Sequence, residues 1–216
     1  MAQLNTEIIA TTAFAILNRR GIAGFTMRAV AKVLKVTPMA LYNYVPDKAG
    51  LAALVLNAAI KQRPLPPPTG EWREDLWKIA CWVREGKLAY PALAELQRTY
   101  RIWTPAMLHH AERWVGVWQH SGLDLRRAVL AASTSSMAID GLADQESIYR
   151  EWEPLDHPAL QLLPNARLLL TADYKPAKSF ELGVRAVIEG LHARLSREKK
   201  ATTAVKPAKR SIRRSK

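Results

Sequence analysis

The chain has 216 residues, of which 49% are hydrophobic, so it can bury a sizeable core and is not disordered throughout. Its single cysteine excludes an intramolecular disulfide and a cysteine-based zinc site. Uncharged runs such as residues 49–60 are too short to span a bilayer, and the first residues lack the positive charge of an export signal. We therefore expect a cytoplasmic globular protein.

The formal net charge of +13 lies at the two ends of the chain. Residues 1–48 hold six basic and two acidic residues, residues 49–196 hold 17 and 16, and residues 197–216 hold nine and one. A chain whose central part has nearly equal numbers of basic and acidic residues, and whose ends are basic, is typical of a protein that binds a polyanion at those ends. A solvated tail without a partner gives the same distribution, so both interpretations stay open.

Four helices are predicted in the first 61 residues from apolar spacing and end signals, over residues 5–20, 26–34, 37–44 and 47–61. Gly21 is expected to end the first helix, and Thr26 and Asp47 to cap the second and fourth. Pro38 follows the capping Thr37 at the first helical position, where its missing N–H costs nothing.

A proline-rich stretch, Arg63–Gly70, cannot continue a helix and is the predicted linker to the rest of the chain. Beyond it, helical patterns cover residues 72–90, 92–101, 104–121, 124–151 and 178–197, with a looser stretch at 152–176. Strand signals are nearly absent, and Leu168–Thr171 is the one ambiguous apolar run. The sequence therefore predicts an all-α fold.

The second and third predicted helices form a helix-turn-helix, in which a tight turn joins two short helices and the second exposes small and polar residues. Ala31, Leu34 and Leu41 would pack the two helices together, and Val36 would fill the turn. Such a rigid wedge can place the start of its second helix in the major groove of DNA.

At these positions the sequence resembles the DNA-binding domain of the TetR family. The runs that carry the resemblance are FTMRAVAKVL from Phe25, VTPMALYNYV from Val36, and Asp47-Lys48 with Leu51. Its most specific part is Leu41-Tyr42-x-Tyr44-Val45 followed by Lys48. The run SFELGVRAVIEGL from Ser179 resembles the C-terminal domain of the tetracycline-repressor branch.

The resemblance implies an all-α fold with an N-terminal three-helix helix-turn-helix DNA-binding domain and a larger helical ligand-binding and dimerisation domain. We assign residues 1–61, with the connecting helix, to the first domain and residues 62–197 to the second. Residues 198–216 are rich in Lys, Arg, Ala and Thr without apolar periodicity, and we predict a disordered basic tail there.

The resemblance also implies a set of DNA contacts. Tyr42, Tyr44 and Lys48 would contact the phosphate backbone, since hydroxyls donate to phosphates and a helix start favours an anion. Arg28 would read a guanine edge with two hydrogen bonds. The groove-facing tip would consist of Thr37, Pro38 and Met39, and Asn43 is a further candidate DNA contact.

All seven tryptophans lie between Trp72 and Trp152, outside the DNA-binding module. Aromatic residues at this density can build the apolar walls of a pocket for a planar ligand, although an aromatic stripe is also ordinary core. The candidate ligand-binding residues are Trp77, Trp82, Tyr100, Trp103, Met107, Trp114, Trp118 and Met137.

We predict no metal site and no cofactor other than a small-molecule effector. In the tetracycline-repressor branch, a histidine early in this domain helps to hold the drug's magnesium ion. The present sequence has no histidine before His109, which argues against a magnesium–tetracycline inducer. His109 and Glu112 are one helical turn apart but have no further partner, so we interpret them as surface or pocket-rim residues.

Dimerisation is predicted through residues 124–143 and the last helix. Small side chains would let helices approach closely, namely Ala128, Ala131, Ala132, Ser133, Ser135 and Ser136. The last helix carries an apolar stripe from Phe180 to Leu195, which must be buried against another helix. The alternative is that both faces are intramolecular core.

These features favour a homodimeric repressor that binds a palindromic operator on double-stranded DNA and is released by a small apolar or aromatic molecule. It would be associated with the nucleoid when bound to DNA. Two alternatives remain: a packaging protein that binds any DNA sequence through its basic tail, and a helical enzyme. The sequence has no glycine-rich phosphate loop and no recognisable nucleophile, base and acid spacing, which disfavours the enzyme.

Overall fold

The structure, a computed structural model, describes residues 4–150, 157–170 and 175–203. Within these ranges every regular element is helical and no strand is present, which confirms the all-α prediction. The helices are α1 (Thr6–Gly24), α2 (Met27–Leu34), α3 (Pro38–Tyr42), α4 (Lys48–Lys61), α5 (Trp72–Ala89), α6 (Pro91–Tyr100), α7 (Pro105–His120), α8 (Leu125–Arg150), α9 (Pro164–Leu170) and α10 (Pro176–Thr203), with a 3-10 helix at Pro158–Leu162.

Helix α1 bends at Gly21 rather than ending there. Gly21 has φ 60° and ψ −169°, a backbone conformation that glycine adopts without the steric cost of a Cβ atom. Helical structure resumes to Gly24, and Phe25 follows with its side chain fully buried. The predicted stop is therefore a kink, which leads the chain into α2.

Helices α1 to α4, which we call the head, share one apolar core with α6. The core holds Phe25, Leu41 and Leu51, all fully buried. Leu96 of α6 is fully buried in the same cluster. A helix that follows the linker in sequence thus completes the core of the N-terminal module.

A second core joins α5, α7, α8 and α10, which we call the body. Trp118 of α7 is its largest fully buried side chain. Helices α8 and α10 pack closely at Gly183, where an added Cβ would lie 2.8 Å from Leu142 Cδ1. The glycine therefore leaves room for the Leu142 side chain where the two longest helices pack.

The predicted linker is non-helical but fixed to the body at several points. Leu65 packs against the body core, and Arg113 of α7 donates a hydrogen bond to the carbonyl oxygen of Pro66. At the far end, the backbone N–H and the hydroxyl of Thr69 donate to Asp75 Oδ1 at 2.6 Å and 2.7 Å. The linker is thus a rigid connection.

The small residues of α8 divide between two faces, which corrects the interface prediction in part. Ala128, Ala131, Ala132 and Ser135 are buried within the protomer, because α7 packs its tryptophans against them. Ser133 and Ser136 lie on the exposed side of the helix with Leu130 and Met137, which are 54% and 68% exposed.

Helix α10 shows the same division. The buried side of the predicted stripe, with Phe180, Val184, Ile188 and Leu195, belongs to the body core. The opposite side exposes small and apolar residues at helical spacing, namely Leu182, Ala186, Gly190 and Ala193. These residues and those of α8 are accessible in the protomer.

The C-terminal region departs from prediction at two places. The looser stretch contains the 3-10 helix and α9. Three leucines of this stretch are exposed, namely Leu162, Leu163 and Leu168. Leu168–Leu170, part of the ambiguous apolar run, is helical. Helix α10 extends to Thr203, six residues beyond the predicted end at 197, and the tail from residue 204 onward lies outside the described residues.

Candidate nucleic-acid interface and effector site

A tight turn fixes the angle between α2 and α3. Thr26 Oγ1 accepts a hydrogen bond from Ala29 N at 3.1 Å, and Thr37 Oγ1 accepts one from Ala40 N at 3.2 Å. Between the caps, Lys35 adopts a left-handed conformation with φ 55°, and Val36 N donates to Ala31 O at 3.0 Å. The turn holds α2 and α3 as one rigid wedge.

The tip of this wedge is exposed. Leu41 is fully buried and anchors α3 to the head core, so the opposite side of α3 faces outward. That side carries Thr37, Pro38, Met39, Tyr42 and Asn43, all of them exposed. Arg28 is exposed at the start of α2. Tyr44, just after α3, is 41% exposed, so seven of the eight predicted DNA contacts lie on the accessible surface.

Tyr44 has an additional role in the structure. Its hydroxyl donates a hydrogen bond to the carbonyl oxygen of Leu4 at 2.7 Å. This bond ties the start of the chain to the end of α3, and it occupies the only proton that the phenol could donate to a phosphate.

Lys48, the last of the eight, occupies the first position of α4, next to the N-cap Asp47. Asp47 Oδ1 accepts a hydrogen bond from Gly50 N at 2.7 Å. The N–H groups of Lys48 and Ala49, in the first turn of α4, do not bond to this cap. The ammonium group lies 6.0 Å from the ring centres of both Phe25 and Tyr100. Lys48 therefore lies where the head meets α6.

The surface of the head is positively charged. Arg19, Arg20, Arg28, Lys32 and Lys35 are all exposed. None of these five forms an ion pair with an acidic side chain of the described residues. Uncompensated cations beside an exposed helix tip are what a phosphate backbone attracts.

A separate cluster in the body surrounds Trp82 of α5. The Arg63 guanidinium lies 4.7 Å from the centre of the indole ring, and its Nη2 donates to Trp82 O at 3.1 Å. The His110 ring of α7 meets the indole edge-on at 5.0 Å and 86°. Burial lowers the pKa of His110, and neighbouring His109 and Arg113 lower it further, so the imidazole is neutral at pH 7.

Trp114 and Trp118 belong to the body core. Trp114 Nε1 donates to Ala132 O at 3.0 Å, and Trp118 Nε1 donates to Ser135 Oγ at 3.2 Å. Both side chains are buried, and their N–H groups have partners within the chain. These two residues hold α7 against α8.

The other predicted ligand residues have different surroundings. Trp77 packs against Phe180 at 6.2 Å, with the Arg185 guanidinium 4.5 Å from its ring centre. Trp103 and Met137 are 66% and 68% exposed, Tyr100 packs against the head core, and Met107 is half-buried. Of the eight residues, Trp82 is the one that lies in a cluster with both an arginine and a histidine.

The sequence interpretation did not include His110 or Arg63. His110 lies one turn from both Met107 and Trp114, so the helical spacing already placed it on the predicted ligand face. His109 and Glu112 are exposed, and within the described ranges no three His, Cys, Asp or Glu residues could hold a metal ion together.

Two family descriptions match the chain. Residues 9–55 match the bacterial regulatory proteins of the tetR family, and residues 63–195 match the tetracyclin repressor-like C-terminal domain. The tetracycline repressor protein class E of Escherichia coli is 25% identical over 208 residues, which cover 92% of this chain and 96% of that protein.

Solved structures show the same architecture. ActR of Streptomyces coelicolor in complex with (S)-DNPA has a TM-score of 0.73 and 26% identity, covering 90% of this chain and 100% of that chain. BioQ with its double-stranded DNA operator has a TM-score of 0.65 and 20% identity, covering 88% and 99%, which is a likeness of fold.

Proposed function

The chain belongs to the tetR family of bacterial regulatory proteins, and from this premise we propose how its own residues carry out regulation. It is a ligand-responsive, DNA-binding transcriptional regulator that acts as a homodimer. We propose that it is a repressor, that its operator is palindromic, and that a small apolar or aromatic molecule releases it.

The observation that carries the DNA-binding function is the exposed tip of a rigid wedge beside uncompensated cations. The caps of α2 and α3 fix the wedge, and Met39 at its tip is 72% exposed. An exposed methionine would be unfavourable in water but can contact a thymine methyl in the major groove. Two such tips in a dimer read two half-sites, which gives useful specificity.

We propose roles for the predicted contacts in three groups. Thr37, Pro38, Met39 and Asn43 contact base edges and sugars, and Arg28 reads a guanine from the start of α2. Tyr42 and Lys48 contact phosphates. Tyr44 acts chiefly by holding the N-terminal segment against the head, as its bond to Leu4 O indicates.

Regulation would pass through α6. This helix contributes Leu96 to the head core, while Arg98 Nη1 lies 2.9 Å from Asp144 Oδ2 of α8 in the body. An effector bound among α5, α6 and α7 would favour one position of α6 and thereby change the spacing of the two heads. To shift operator occupancy strongly, it must bind one state more tightly by a few kcal/mol.

We further propose that the protein has no catalytic activity, needs no cofactor beyond its effector, and acts in the cytoplasm, associated with the nucleoid when bound to DNA. The named relative is a repressor rather than an enzyme. No helix among the described residues is long and apolar enough to cross a membrane.

Selection of bound DNA from a random pool tests this function against non-specific packaging. The full chain is compared with a variant that ends at Thr203, because α10 extends to that residue. A palindrome recovered by both proteins supports the proposed regulator. Recovery of no motif, with binding that disappears when the tail is removed, would support a non-specific binder.

A further inference from the structure

One buried polar atom in the body has no partner. Trp82 Nε1 is the single buried side-chain nitrogen or oxygen of the described residues for which no hydrogen-bond acceptor is present. An indole nitrogen can only donate, and a buried donor without an acceptor destabilises the fold. Trp114 and Trp118, on the neighbouring helix, both donate to acceptors within the chain.

The side chains that contact the Trp82 ring, Arg63 and His110, do not accept a hydrogen bond from its Nε1. Arg63 stacks over the ring at 4.7 Å, and its own hydrogen bond goes to the backbone oxygen of Trp82. Glu85, the acid that pairs with Arg63, is exposed, and its Oε2 lies 3.8 Å from Arg63 Nη2. The half-buried ring of Trp82 thus lies beside a guanidinium, and no acceptor of the described residues reaches its Nε1.

His110 adds a neutral polar edge. Its ring contacts the indole edge-on at 5.0 Å, and the neutral imidazole carries one donor nitrogen and one acceptor nitrogen. Arg113, one turn further along α7, already donates to Pro66 O. A molecule that contacts this cluster can pair with the Trp82 N–H group by supplying an oxygen acceptor.

We infer that the effector is a planar aromatic compound with a carbonyl or phenolate oxygen, which accepts a hydrogen bond from Trp82 Nε1 next to His110 and Arg63. The flat rings Trp82 and His110 favour an aromatic framework, and the nearby guanidinium favours an oxygen that carries partial or full negative charge. The inference rests on the proposed effector site and specifies the chemistry that the site selects.

A matched pair of probes isolates the oxygen. Fluorene and 9-fluorenone are planar tricyclic molecules of nearly the same shape, and only the second has a ketone oxygen. Equilibrium dialysis against the full chain should show that 9-fluorenone binds about tenfold more tightly, which corresponds to about 1.4 kcal/mol. In Trp82→Phe the preference should disappear because the N–H donor is gone, and the affinity lost with the larger indole ring should be the same for both probes.

Trp103→Phe is the matched control, because this tryptophan of the same domain is 66% exposed. The control should retain the preference for the ketone. The inference is overturned if the wild-type chain binds neither probe, if it binds both equally, or if Trp82→Phe keeps the preference. The wild-type comparison decides the matter even if Trp82→Phe fails to fold.

Operator binding by the same wild-type preparation separates this inference from the proposed function. Sequence-specific DNA binding without a preference for the ketone overturns this inference but leaves the proposed function in place. Loss of sequence-specific DNA binding overturns the proposed function, whatever the probes do.

Discussion

Arg98 of α6 and Asp144 of α8 form an ion pair, with Nη1 2.9 Å from Oδ2. The other oxygen of Asp144 lies 2.9 Å from Lys87 Nζ of α5, and Lys87 also pairs with Asp140 Oδ1 at 3.0 Å. Asp144 therefore joins three helices, one of which contributes to the core of the head. This network connects the two parts of the molecule through polar contacts.

The two cations of this network should contribute unequally to stability. Arg98 is 60% exposed, so Arg98→Ala should lower the free energy of unfolding by less than about 1 kcal/mol. Lys87 is 17% exposed and serves two carboxylates, so Lys87→Ala should cost about 1–3 kcal/mol. Urea unfolding of both variants measures this order, and a larger loss for Arg98→Ala would contradict it.

The ion pair of Arg84 and Glu146 should make stability depend on acid. Glu146 is 3% exposed, and hydrogen bonds from Arg84, with charge from Arg84 and Arg150, lower the pKa of its carboxyl group. A lowered folded-state pKa means that the pair stabilises the fold above the usual pKa of 4.5 and that this stability is lost as the pH falls further.

Glu146→Gln tests this dependence. At pH 7 the variant should lose about 2–4 kcal/mol of unfolding free energy, because Arg84 keeps its charge without a counter-ion. Between pH 5 and pH 3 its stability should fall less steeply than that of the wild type. Urea titrations at several pH values measure both effects, and parallel pH curves would exclude the carboxylate as the cause.

Arg28 and Lys32 form a matched pair for DNA recognition, since both are exposed cations on α2. Arg28→Ala should weaken operator binding by about 1–3 kcal/mol and relax the preference at one base position. Lys32→Ala should weaken binding to all sequences similarly, because a phosphate contact carries no sequence information. Binding to operators with single base changes distinguishes the two, and equal effects on every sequence would argue against base reading by Arg28.

Tyr44→Phe removes the hydroxyl that donates to Leu4 O. We expect weaker operator binding because the N-terminal segment loses its attachment, and deletion of residues 1–4 should then cause little further loss. Tyr42→Phe is the control, and here the deletion should retain its full effect. Additive losses in the Tyr44→Phe background would instead indicate a direct role of the hydroxyl on DNA.

The exposed face of α8 and α10 should determine the oligomeric state. Met137→Arg places charges on a face that we expect to be buried between protomers, so the dimer should dissociate at micromolar concentration. Leu108→Arg on α7 is the control, because α7 packs on the opposite, buried side of α8. Sedimentation velocity measures the oligomeric state of both variants. If only Leu108→Arg is monomeric, the interface includes α7 instead.

The local features of the head could be predicted from sequence because they depend on neighbours along the chain. The side chains of Thr26, Thr37 and Asp47 cap their helices as predicted. Gly21 predicts an interruption, but the local pattern does not predict that helical structure resumes as far as Gly24, before the buried Phe25. The resemblance in this region rested on the same local pattern.

The roles of the tryptophans could not be predicted in this way. Trp82, Trp114 and Trp118 are alike in sequence terms, since each lies on an amphipathic helix. Whether an indole N–H finds an acceptor depends on residues far away, such as Ser135 for Trp118. The division of α8 into a buried and an exposed face also needed the position of α7.

The burial of Leu96 in the head bears on how such regulators can be recombined. A chimera joined within Arg63–Gly70 would receive its DNA-reading helices from one parent and Leu96 from the other. Its head would then be closed by a foreign side chain. A new operator preference and a new effector preference can therefore be combined freely only if α6 is inherited with the head or adapted to it, which makes this helix a constraint on the exchange of domains.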